Sequence, residues 1–169
     1  MKKLLIAAIF AFAFVPAFSQ GYEVVREGNS HILKGIISRE LVEKDTTYKW
    51  YAQNKSGYTP NAEAVSALSQ NKDSIQLLVF MGTWCGDSHV IIPKFYSLLD
   101  AAGVPPERVT LIGVDRQKKT ISHLTEALDV RNVPTIIVYK KGRELGRVVE
   151  YGKYGMWDKE LGEVIRSSR

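Results

Sequence analysis

The chain has 169 residues, with 23 Lys and Arg against 18 Asp and Glu for a formal charge of +5, and one cysteine. The basic residues are scattered, and pairs such as Lys118-Lys119 and Lys140-Lys141 read as loop or turn charges, so there is no nucleic-acid footprint. With a single thiol, no internal disulfide can form.

Residues 1–19 read as a cleavable signal peptide. Lys2 and Lys3 form a positive head, "LLIAAIFAFAFV" an apolar stretch, and Ala17-Phe18-Ser19 a small-residue cleavage site before Gln20. The apolar stretch is short for a spanning helix, which needs about 20 residues. An uncleaved anchor is the alternative. The mature chain is therefore expected in a periplasmic or secreted location, with no membrane association after cleavage. Losing Lys2 and Lys3 takes the charge from +5 to +3. About 150 residues remain, one domain's worth of core.

Residues 20–69 are expected as a helical extension: a short strand, then helical pieces. Ser38 and Asp45 are candidate N-caps, the second opening a helix that carries Tyr48, Trp50 and Tyr51. "TPNAEAVSALSQ" places Ala64, Val65 and Leu68 on one helical face. The aromatic stripe Tyr48, Trp50, Tyr51 and Tyr58 reads as packing between elements.

The pattern changes at Ser74. "IQLLVFM" is a continuous apolar run, as in a strand buried on both faces. "GDSHVIIPKFYSLLDAAGV" follows as a helix with Val90, Ile91, Phe95, Leu98 and Leu99 toward the core and Gly103 near its end, and Pro93 is expected to kink it. "RVTLIGVD" is a second buried strand, and "TISHLTEALDV" a short helix with Thr120 as a candidate cap. "VPTIIVYKKGRELGRVVEY" is a hairpin and "GMWDKELGEVIRSS" a closing amphipathic helix that carries Trp157. Residues 70–169 thus predict an α/β domain: a mixed central sheet with helices on both faces, in three layers.

Cys85, in "WCGDS", stands where the first buried strand passes into a helix. The unpaired N–H groups of a helix N-terminus favour a thiolate, the reactive form of cysteine. A buried packing cysteine is the alternative. Ser88 lies one turn on, where its hydroxyl is expected to donate to the sulfur. His89 adds charge if it faces the sulfur and otherwise points to solvent. Asp87 reads as a first-turn acid suited to the helix dipole, and Asp115-Arg116 as a surface turn pair. Cys85 and His89 alone do not make a metal site, since His31 and His123 sit in no ligand-spaced motif. Neither a peroxidase-like motif nor an oriented Cys-His base is visible. No cofactor is expected.

Strand, "WCGDS", helix, then "NVPTIIVYKKGRELGRVV" and a closing helix resemble a thioredoxin-fold protein of the secreted bacterial thioredoxin-like group. The resemblance implies that Cys85 is the nucleophile, Trp84 the tryptophan before it, and Pro134 a cis-proline facing it. It also implies that the backbone of Val133 receives an extended substrate. Two departures stand out. Ser88 replaces the resolving cysteine, and Val79 stands where many thioredoxins carry a buried acid. A single thiolate can still attack a disulfide and hold a mixed disulfide until an outside thiol resolves it. That fits disulfide shuffling or removal of thiol adducts, with a disulfide-containing protein or a small thiol as partner. Two chains joined through Cys85 stay open, as does a binding module that has kept the fold and lost the chemistry.

Overall fold

The computed structural model describes residues 21–28 and 30–167; the signal segment expected over residues 1–19 lies outside the described residues. Among the described residues, the strands β1 (Tyr22–Glu27), β2 (Ser30–Ile37), β3 (Ile75–Met81), β4 (Val109–Gly113), β5 (Thr135–Lys140) and β6 (Arg143–Val149) form one mixed sheet in the order β1-β2-β4-β3-β5-β6. At its centre is β3 (Ile75–Met81), the continuous apolar run of the sequence. It pairs in parallel with β4 (Val109–Gly113) and antiparallel with β5 (Thr135–Lys140), and β6 (Arg143–Val149) closes a hairpin with β5. The parallel pair needs a crossover, supplied by α4 (Gly86–Ala102). This helix runs as one element through the buried Pro93 and ends at Gly103, whose φ of 65° suits a residue without a Cβ. Of its expected core-facing residues, Val90 is only half-buried, and Ser88 takes a buried position instead.

The lead-in departs from the expected strand followed by helical pieces. β1 (Tyr22–Glu27) and β2 (Ser30–Ile37) form a hairpin, Glu27 opposite Ser30, with Gly28 turning at φ 56°. β2 then pairs antiparallel with β4, Ile37 opposite Leu111. The reason is burial: Ile32, Leu33 and Ile37 have an apolar face to lose, and β4 offers an open ladder. The two strands approach so closely that a Cβ at Gly113 would collide with the carbonyl of Leu33.

After the hairpin come α1 (Arg39–Glu43), a 3-10 turn capped by Asp45, whose carboxylate accepts from the Thr47 N–H, α2 (Trp50–Lys55) and α3 (Ala62–Asn71). Asn61 caps α3 through the Ala64 N–H. Tyr48 and Tyr51 are buried, so the aromatic stripe does pack between elements. Burial pushes the Tyr48 phenol up to about 12, and its hydroxyl donates to the His31 carbonyl. Residues on both sides of position 70 share one core, in which Leu33, Val42, Tyr51 and Leu68 meet Val79, Ile91, Phe95 and Leu161. The last of these belongs to α6 (Trp157–Arg166). A smaller cluster of Phe80, Ile112, Val114, Val130, Val133 and Ile137 lies apart, with Leu124 of α5 (Leu124–Ala127) against it. Thr120 precedes the 3-10 turn before α5, but its hydroxyl donates to the Gly113 carbonyl instead of capping that turn.

Candidate active site

β3 ends in a tight turn, Gly82 to Cys85, closed by the Cys85 N–H donating to the Gly82 carbonyl at 3.0 Å. Cys85 is the N-cap residue of α4, with extended backbone (φ −92°, ψ 123°), and its carbonyl accepts from the His89 N–H. The thiol is half-buried against the smaller cluster and donates to the carbonyl of Val133 at 3.2 Å. The Val133–Pro134 peptide is cis. Trp84 precedes the thiol, its indole N–H donating to the Val114 carbonyl at 2.9 Å. Cys85, Trp84, Val133 and Pro134, drawn from two parts of the chain, therefore meet at one end of the sheet.

Ser88 does not take its expected place. It is fully buried, and its Oγ accepts from the Gly82 N–H at 3.2 Å; among the described residues no hydrogen bond joins it to Cys85. The Gly82 N–H at the end of β3 engages the hydroxyl oxygen instead. His89 neither faces the sulfur nor points to solvent. Its Nε2 lies 2.8 Å from the Thr83 carbonyl, and its ring stacks on Trp50 with centroids 4.3 Å apart.

Two neighbours of the site were not visible as such in the sequence. Arg116 is more than a surface turn residue: its guanidinium lies over the Trp84 ring while its Nε pairs with Glu27 at 2.7 Å. Tyr151 follows Glu150, whose N–H donates to the Pro134 carbonyl at 2.7 Å. Burial first, then the charge and hydrogen bonding of Asp87 and the charge of Cys85, push the Tyr151 phenol above its ordinary value. Nothing in the spacing of "EYGKYGMW" announces this contact.

Among the described residues, no three His, Cys, Asp or Glu side chains converge as metal ligands. A depression of about 240 Å³ lined by Ile37, Tyr96, Leu99 and Leu111 lies toward the far end of α4 from the thiol.

Residues 59–158 match the family described as Thioredoxin. The chain belongs to the thioredoxin family. A thioredoxin of Chlamydia pneumoniae is 33% identical over 98 residues, 55% of this chain and 85% of that protein. A thioredoxin of Echinococcus granulosus is 32% identical over 84 residues, covering 50% of this chain and 73% of its own. Among solved structures, thioredoxin O2 of Arabidopsis thaliana in the oxidized state shares 28% identity over 63% of this chain and 87% of that one, with a TM-score of 0.40. The thioredoxin match begins before α3 and takes in the thiol turn, the cis-proline and the start of α6.

Proposed function

We propose that this protein is an exported, monothiol member of the thioredoxin family that exchanges disulfides through Cys85. The observation that carries the reading is the pairing of a half-buried thiol at a helix N-terminus, 3.2 Å from the Val133 carbonyl, with a buried serine where a resolving cysteine would stand. In the first step the Cys85 thiolate attacks one sulfur of a substrate disulfide, and the second sulfur leaves as a thiolate that takes up a proton. An external thiolate then attacks the mixed disulfide, frees Cys85 and forms the new disulfide with the partner's sulfur. Ser88 has no sulfur to offer, so the second step belongs to the surroundings. Trp84, the Val133–Pro134 backbone and Tyr151 bound the surface on which a disulfide-bearing chain would lie. Export rests on Lys2, Lys3, the apolar stretch and Ala17-Phe18-Ser19.

Incubation of the processed protein with a small disulfide and with an unfolded, disulfide-bonded protein tests this directly. Intact mass should reveal one adduct at Cys85, formed at least about tenfold faster than on free cysteine at the same pH and persisting until reductant is added. N-terminal sequencing of exported material should begin at Gln20. A thiol no faster than free cysteine overturns the redox reading. A second reading, noncovalent capture, draws on the exposed Tyr151, Tyr154 and Met156 in the loop after β6. Client binding that survives Cys85→Ser would favour it.

A further inference from the structure

Thr83 is held on three sides by groups that the thiol chemistry itself does not use. It is the first central residue of the turn that delivers Cys85, and it is buried. Its hydroxyl donates to the His31 carbonyl at 3.0 Å and accepts from the Leu33 N–H at 3.3 Å, both on β2. Its own carbonyl is bound by His89 at 2.8 Å; because a carbonyl only accepts, Nε2 carries the proton. His89 is in turn held by Trp50 of α2, ring on ring with 12° between the planes. The side chain of Thr83 is thus fixed by one part of the lead-in, and its peptide by a residue braced by another part.

We infer that Thr83 and His89 are positioning residues for Cys85, and that the lead-in, through β2 and Trp50, is the support that keeps the thiol turn in its reactive geometry. This rests on the reading of Cys85 as a nucleophile. The physical ground is that in-line attack on a disulfide tolerates little misplacement, and an ångström of drift in such a geometry costs up to about 100-fold in rate. Thr83→Val keeps the shape and removes both hydroxyl bonds, freeing the turn to shift. Thr83→Ser keeps the hydroxyl and loses only a methyl group. His89→Gln retains an N–H donor that can reach the Thr83 carbonyl, whereas His89→Ala does not.

The test uses the processed full chain and a small neutral disulfide as probe, with second-order rate constants of mixed-disulfide formation corrected for the fraction folded by circular dichroism. Thr83→Val should react about 10- to 100-fold more slowly than the wild type, with Thr83→Ser restoring the rate to within about threefold. His89→Ala should slow the reaction severalfold and His89→Gln should recover most of it. If Thr83→Val does not fold, the His89 pair decides. Wild-type rates in folded Thr83→Val, or equal rates for His89→Ala and the wild type, overturn the inference and leave the nucleophile reading standing. A wild-type thiol no faster than free cysteine overturns both.

Discussion

The guanidinium of Arg116 lies 5.5 Å from the centroid of the Trp84 ring, while its other side pairs with Glu27 on β1. An exposed contact of this kind is worth about 0.5–1 kcal/mol. It also sets a positive charge beside the thiol's tryptophan, partly neutralised by Glu27. Arg116→Ala should therefore slow exchange with an anionic disulfide by about two- to threefold at low salt, and Glu27→Gln should speed it. Neither should alter exchange with a neutral disulfide. Stopped-flow rates at two salt concentrations check this, and identical behaviour toward both disulfides would remove Arg116 from the site.

Ser88 satisfies a buried backbone N–H at Gly82. Ser88→Ala leaves that donor unpaired, at a cost of about 1–3 kcal/mol in urea unfolding. Ser88→Cys places a second sulfur one helical turn from the first, a spacing within reach of a disulfide. Oxidised Ser88→Cys should show no free thiol, and its mixed disulfides should resolve without added reductant. Two titratable thiols after oxidation would show that the turn holds the two sulfurs apart.

Arg39 links α1 to α4 by a two-pronged ion pair with Asp100, at 2.7 and 2.8 Å. Those bonds hold the Asp100 carboxyl below its ordinary 3.8, against an opposing effect of burial. A depressed carboxyl stabilises the fold above its unfolded value, and that contribution fades as pH falls through the folded one. Asp100 is half-exposed, so the effect is small and screened by salt. Denaturation curves of the wild type and Asp100→Asn should differ most near neutral pH and converge below 3.8. A gap that is constant with pH would mean that the ion pair contributes nothing through titration.

Gly113, opposite Gly35, is where the backbone of β4 leaves no room for a Cβ against β2. Gly113→Ala forces the Leu33 carbonyl aside and should cost about 1–3 kcal/mol. Amide exchange should rise first in β1 and β2, before β3. Uniform loss of protection across the sheet would mean that the hairpin does not open on its own.

The half of the fold that holds the thiol could be read from the sequence because its signals are local. "IQLLVFM" can bury both faces only as a central strand, and Gly103 ends α4 where its left-handed backbone requires it. The hairpin had a local signal too, since Gly28-Asn29 separates two runs rich in Val and Ile, and the helical reading missed it. The neighbours of Cys85 are a different case. Thr83 answers to β2, His89 to Trp50 and Arg116 to Glu27, each partner more than thirty positions away. Ser88 stands one turn along the helix as expected, but its hydroxyl binds an amide at the end of β3 that the local pattern does not reveal.

The added hairpin has one more consequence. Pairing with β2 covers the flank of β4, which would otherwise present a row of open backbone groups to any extended chain nearby. The sheet's border on that side moves out to β1, six residues long and carrying Glu23, Arg26 and Glu27 on exposed positions. A stray strand laid along it meets charge and a short ladder, both of which discourage self-association. The hairpin thereby keeps the open backbone of the sheet's middle strands out of reach of other chains.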